Sequence, residues 1–219
     1  MAPVCQTCLE APVEWTGKQC ERCGLLLISS GSIHKDEFCR LCRKGVFRFE
    51  KARSFGLYEG RLRDLIQRLK YDGLRPLAKP LGRLLRNPIQ RFNVDTWDVI
   101  LPVPLHARRQ RHRGFNQSAL LAREISRMLG IALSKDCVRV RDTPPQTGLR
   151  AAERRKNVTG AFHVPNPKKV RSLRVLLVDD VMTTGATANA CAEALLEAGA
   201  KGVWVVTLAR AERNDLDIV

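Results

Sequence analysis

Aromatic residues are scarce in this chain: Phe, Trp and Tyr make up 5% of its 219 residues. A surface that grips nucleic acid mainly by stacking on bases needs more of them, so any such partner is expected to be held through its phosphates. A stacking pocket for a purine is not evident either, although Phe115 or Phe162 can contribute a ring. No apolar run approaches the roughly eighteen residues of a membrane span. The start, MAPVCQTC, shows neither a basic n-region nor an apolar h-region. Neither membrane insertion nor secretion is expected, and a reducing cytoplasm is. GxxxxGK(S/T) is missing, as is GxGxxG after a strand, which sets aside two common nucleotide-phosphate loops. Acidic residues are few as well, 22 against 38 Lys and Arg, for a formal charge of +16.

That basic surplus is uneven. Residues 61–113 hold thirteen Arg or Lys against four Asp. Such a concentration is an electrostatic footprint for a polyanion, and it also suits the surroundings of a pyrophosphate. With 44% hydrophobic residues the chain buries a real core without staples. Its eight cysteines therefore point to metal rather than to disulfides. They include three CxxC pairs: Cys5/Cys8, Cys20/Cys23 and Cys39/Cys42. The last two give C-x2-C-x15-C-x2-C, the spacing of a zinc ribbon, in which four thiolates close a structural site. Cys5 and Cys8 can replace one pair, or hold a second ion with an outside ligand such as His34.

The most informative string is VLLVDDVMTTGAT, residues 175–187. Val175 to Val178 have the length and branching of a strand buried on both faces. The expected strand ends at two carboxylates, Asp179 and Asp180, and a loop of Thr183, Thr184, Gly185 and Thr187 leads to a helix expected from Ala188. A loop between a strand and a helix N-terminus offers unpaired N–H groups and the positive end of the dipole, which suits a phosphate. Carboxylates before the loop can accept from vicinal hydroxyls. An acidic turn before a Thr-capped helix accounts for either feature alone. The whole ordered string fits a ribose 5-phosphate.

Around it the chain alternates. A strand is expected near 47–57, then an amphipathic helix with Leu62, Leu65, Ile66 and Leu69 at i, i+3, i+4, i+7, stopped by Gly73. A second helix follows from Pro76 or Pro80. Beyond Asp98 come a strand at 99–103, a proline-bounded loop from Pro104 to Arg113, a helix from Phe115 to Leu129 and a strand near 138–141. A polar segment, the signature strand with its helix, and a last strand at 203–208 complete the pattern. This order predicts an α/β fold, a parallel sheet with helices on both faces, behind a small zinc-ribbon module. Three units are expected: the Cys-rich module 1–45, a basic connecting or hood region 46–95, and the α/β domain 96–219. In such sheets ligands bind beyond the carboxyl ends of strands. Arg108, Arg109, Arg111 and Arg113, forked and always charged, are suited to a pyrophosphate or to DNA phosphates there.

VLLVDDVMTTGAT resembles the signature of the type I phosphoribosyltransferases, which bind phosphoribosyl pyrophosphate (PRPP). The resemblance implies that Asp179 and Asp180 hold the ribose 2- and 3-hydroxyls while Thr183, Thr184, Gly185, Ala186 and Thr187 wrap the 5-phosphate. It also implies magnesium, bound with PRPP. Three further stretches are similar to the ComF family of competence-associated proteins: PVPLHARRQRHRGFNQS (102–118), TPPQTGLRAAERRKNV (143–158), and the cysteine ribbon followed by LIQRLKYDG. The second of these resembles that family's mobile loop, with Gln146, Arg154 and Asn157 in the matching places. Members often carry four CxxC pairs, whereas this chain has three. The resemblance implies handling of incoming single-stranded DNA in natural transformation, alongside DNA-uptake or recombination proteins. It leaves turnover of PRPP, and the acceptor, open.

Overall fold

The structure, a computed structural model, describes residues 5, 7, 9, 11–25, 27, 37–94, 96–143 and 151–211. Four strands form its central sheet: β1 (Lys51–Leu57), β2 (Val99–Pro102), β5 (Arg174–Met182) and β6 (Gly202–Arg210). They lie in the order β1-β6-β5-β2, and every pair is parallel. Alternation along β5 divides the core in two. Val175 and Leu177 point into the cluster that holds Cys20, Cys23, Cys39, Cys42, Phe47 and Phe49. Leu176 and Val178 point into the opposite one, with Leu62, Ile66, Leu81, Leu121 and Ile125. Both faces of the sheet are therefore covered, which parallel strands require.

The helices follow their apolar stripes. Helix α1 (Arg40–Arg43) holds Cys42 and follows Cys39 at its N-cap, and α2 (Gly60–Tyr71) buries Leu62, Leu65, Ile66 and Leu69 before Gly73 turns the chain at φ +67°. A 3-10 turn at Arg75–Leu77 leads into α3 (Ala78–Leu84) and α4 (Arg86–Gln90). Next come α5 (Ala107–Arg113), α6 (Gln117–Leu129), α7 (Ala151–Val158) and α8 (Ala186–Glu197). Among the described residues no helix is long and apolar enough to cross a membrane.

Two expectations change, and a third is carried further: the strand expected near 47–57 forms as β1 and takes the edge of the sheet, where its apolar residues join both core layers. The strand expected near 138–141 does not join the sheet. It shortens to β3 (Val138–Arg139), which pairs antiparallel with β4 (Phe162–His163), while β2, β5 and β6 already lie side by side. The arginine stretch 107–113 is a helix, since Ala, Arg and Gln are good helix formers. His106 caps it, with Nδ1 accepting from the Arg108 N–H at 3.4 Å, and Gly114 ends it at φ +77°.

The N-terminal segment covers the outer edge of β1. The Ala52 N–H donates to the Arg22 carbonyl at 2.7 Å, and the Trp15 N–H to the Phe55 carbonyl at 2.8 Å. Buried Arg53 reaches back to the Glu21 carboxylate at 2.7 Å. An open strand edge is thereby blocked.

Candidate functional site

The two carboxylates lie within β5 rather than after it. β2 pairs with β5 only as far as Val178, whereas β6 continues alongside to Met182. From Asp179 onward β5 is hydrogen-bonded on one side only, at the carboxyl end of the sheet. The loop then climbs to α8, which opens at Ala186, two residues earlier than expected. Thr184 makes the early start possible, its Oγ1 accepting from the Ala186 N–H at 3.4 Å. Gly185 has φ +79°, and a Cβ there would meet Met182 Cε at 2.7 Å and Phe47 Cε1 at 2.9 Å. Only glycine fits this position. Thr184 and Ala186 are buried, while Thr183 and Thr187 remain partly open.

The carboxylates are not left bare. Asp179 Oδ1 accepts from Ser118 Oγ at 2.7 Å and from the Asp180 N–H at 2.9 Å. Buried Asp180 pairs with Lys70, Nζ to Oδ2 at 2.7 Å, and its Oδ1 accepts from the Val181 N–H. Burial pushes the Asp179 carboxyl up to about 6, against the Ser118 hydrogen bond and the charges of Lys70 and Arg139. Burial also lowers Lys70 to about 8, opposed by Asp179 and reinforced by Arg113. Between those values both charges stand together inside the protein.

Helix α5 divides the four arginines. Arg109 and Arg113, four apart, share one face and are partly buried. Arg109 donates to the Thr143 carbonyl, and Arg113 donates to Gln117 Oε1 at 2.6 Å. Arg108 and Arg111 are exposed, and Arg108 lies 3.3 Å from Asp142 Oδ2. Arg139 joins the inner pair: it is buried, donates to Thr143 Oγ1, and feels the charges of Arg109 and Asp179. The inner cations are thus Lys70, Arg109, Arg113 and Arg139.

The string RGFNQS between α5 and α6 sets these parts in place. Asn116 caps α6 by accepting from the Ser118 and Ala119 N–H groups, while its Nδ2 donates to the Val103 carbonyl at 3.0 Å. This cap orients Gln117 toward Arg113 and Ser118 toward Asp179. Lys70, Ser118 and Arg139 were not singled out from the sequence. Lys70 left a signal, a charge four residues after Ile66 on an otherwise apolar stripe. Arg139, between Val138 and Val140, left only a misleading one, because such a string reads as an ordinary apolar strand.

Cys20, Cys23, Cys39 and Cys42 are buried, and their Sγ atoms all lie within 4.8 Å of one another. Cys39 begins α1, and its N–H donates to Cys20 Sγ at 3.3 Å. The positive charge of buried Arg210 acts on Cys23. Four converging thiols beside a cation form a donor set that can hold a metal. Cys5 is exposed and is not among the four, and Cys8 and His34 lie outside the described residues. Of the mobile-loop positions, Asn157 lies on α7, which packs against α8. Gln146 and the Arg154 side chain lie outside the described residues.

A carboxylate pair and a hydroxyl-rich helix start at the carboxyl end of a parallel sheet agree with what known proteins match. The model for the phosphoribosyl transferase domain matches residues 116–218. Competence protein F of Haemophilus influenzae is 37% identical, over 80% of this chain and 79% of its own length. DNA utilization protein YhgH of Salmonella typhimurium is 34% identical, over 94% of this chain and 90% of its own. The chain belongs to the ComF family. Competence protein ComFC of Bacillus subtilis, 28% identical, covers 94% of this chain with 84% of its own. The ComF chain described here has a type I phosphoribosyltransferase fold. The domain match begins at Asn116, so Lys70 and the α5 arginines come from outside the matched span.

Proposed function

We propose that this ComF protein binds single-stranded DNA on its basic face and holds a PRPP-type ligand at the carboxyl end of β5, in a role in DNA uptake. The observation that carries the pocket is the joining of an acidic pair and a hydroxyl-rich helix start with four partly or fully buried cations. Asp179 and Asp180 accept the ribose hydroxyls. The loop Thr183, Thr184, Gly185, Ala186 and Thr187 receives the 5-phosphate, where backbone N–H groups and the dipole of α8 favour an anion. Arg109 and Arg113 face the diphosphate, together with Lys70 and Arg139. Magnesium bound with PRPP supplies charge neutralisation of the diphosphate. The four buried cysteines hold a structural zinc, and metal analysis should find about one ion per chain. Metal-free protein with an unchanged melting curve would contradict that.

Exposed Arg108 and Arg111 belong to the DNA-facing side. The charge of +16 supports backbone-driven, sequence-tolerant binding. The inner cations also favour a second reading, transfer of ribose phosphate to an acceptor. In that reaction the bond from C1 to the pyrophosphate oxygen breaks, the acceptor bonds to C1, and the departing diphosphate is stabilised by Arg109 and Arg113.

Two binding measurements test the two parts. Calorimetry with PRPP and magnesium should show saturable binding, and fluorescence anisotropy should show a strand affinity whose log–log salt slope is about −0.7 per contacted phosphate. Pyrophosphate release in the presence of nucleobases or single-stranded DNA separates turnover from binding. Absence of PRPP binding rejects the pocket, and salt-insensitive or undetectable DNA binding rejects the basic face.

A further inference from the structure

A single strand held by its phosphates still has bases to place. Both phenylalanines that sequence offered for stacking are out of reach. Phe115 is buried with the Arg75 guanidinium 4.9 Å from its ring centroid, and Phe162 is buried with that of Arg139 at 5.5 Å. Tyr71 is different. It ends α2 and is 72% exposed, more open than any other aromatic ring among the described residues. The Arg113 guanidinium carbon sits 5.3 Å from its ring centroid. Arg113 is itself held by Gln117. The ring is therefore backed by an anchored cation and still open to solvent over most of its surface. Such preorganisation lowers the cost of binding a flat partner. The residue before it, Lys70, reaches Asp180, and the ring itself meets Arg113, so Tyr71 adjoins two cations of the candidate site.

We propose that Tyr71 is a stacking platform for a nucleobase of single-stranded DNA, with Arg113 as its cationic backing. An exposed aromatic plane beside guanidinium groups is what a single strand needs for a base next to a phosphate. The proposal rests on the strand-binding reading above and adds to it the place where a base is gripped. One ring can do this in a chain with few aromatics because stacking supplies a local anchor, while phosphates supply most of the affinity.

Fluorescence anisotropy of the full chain with two oligomers of equal length and backbone, one of thymidines and one abasic, tests it. Wild type should bind the thymidine oligomer more tightly. Tyr71→Ala should weaken that binding by roughly fivefold to a hundredfold while leaving abasic binding and the salt slope unchanged. Tyr71→Phe should keep wild-type affinity, and Tyr71→Leu, which keeps an apolar side chain without a ring, should fall with alanine. Equal wild-type affinity for the two oligomers overturns the platform while phosphate-driven binding stands. Equal losses on both oligomers in Tyr71→Ala also overturn it, because the ring would then act only by holding Arg113. Failure of wild type to bind either oligomer at low salt overturns the platform and the strand-binding reading together.

Discussion

The two halves of the site are built in opposite ways. Its acidic and hydroxyl half is continuous in the chain, from Asp179 to Thr187, and one strand-to-helix junction orients it. Its cationic half is assembled from positions 70, 109, 113 and 139, on α2, α5 and β3. A local half can be recognised from spacing, because the backbone geometry of one turn dictates it. A dispersed half exists only after distant elements pack. The ion pair between Lys70 and Asp180 and the hydrogen bond from Ser118 to Asp179 are where the halves meet.

Breaking that junction should have the largest effect. Asp180→Leu removes the carboxylate that touches Lys70, only 16% exposed; losing one partner of a buried pair costs about 3–5 kcal/mol, of which the charge of Asp179 offsets part. The double variant Lys70→Met with Asp180→Leu should recover most of the loss, since two apolar groups replace two charges. Urea unfolding of both measures this. A double variant as unstable as the single one would mean that the two halves do not depend on each other.

Next in size is ligand affinity. Asp179→Asn leaves the Lys70 pair in place and removes one charged acceptor, worth about 1.5–3 kcal/mol. PRPP affinity should fall roughly tenfold to a hundredfold by calorimetry. Unchanged affinity would remove Asp179 from the acidic half.

A pH series sharpens the comparison because each half titrates at its own end. Ser118 from α6, Lys70 from α2 and Arg139 from β3 face Asp179. Its carboxyl, raised to about 6, binds a proton more tightly in the folded chain than in the unfolded one. Its contribution to stability therefore rises as pH falls through 6 toward the ordinary carboxyl range, and is lost as pH rises again. Ligand affinity should run the other way, because the ionised carboxylate is the proposed acceptor. It should drop toward tenfold for each pH unit below about 6, and fall again above about 8 as Lys70 loses its proton. Asp179→Asn should lack the acid limb, as a titration by calorimetry would reveal. An acid limb that persists unchanged in the variant belongs to the phosphates of the ligand instead.

The smallest effects belong to the outer arginines. Arg108→Gln and Arg111→Gln remove solvent-screened charges, each worth about 0.2–1 kcal/mol, so strand binding should weaken a few-fold and equally for all sequences. PRPP binding should not change. Arg113→Gln should weaken PRPP binding, and equal effects of inner and outer arginines on PRPP would erase the division that α5 makes between them.

Much of this was legible from local pattern. The CxxC spacing named the four cysteines that converge, and the DD-to-TTGAT order named a strand, a turn and a helix start. The α2 stripe located four buried residues correctly because a 3.6-residue period is a property of the chain itself. Legibility stopped where a decision depended on a neighbour. β5 extends through Asp179 and Asp180 because β6 continues to pair with it, which Val175 to Val178 alone do not reveal. The 107–113 arginines read as a loop because a run of like charges masks helix propensity, and the cap that settles the matter is a histidine.

Sequence by itself determined the alternating α/β order, the cysteine quartet and the acid-to-threonine string, since each is a matter of residue type at short, fixed spacing. Tertiary structure decided that β1 completes the sheet, that Lys70 neutralises Asp180, that two of four arginines face inward, and that Tyr71 rather than a phenylalanine stays open. Those outcomes depend on which surfaces become buried against one another, and burial, which sets both exposure and the cost of an unpaired charge, is a property of the packed whole.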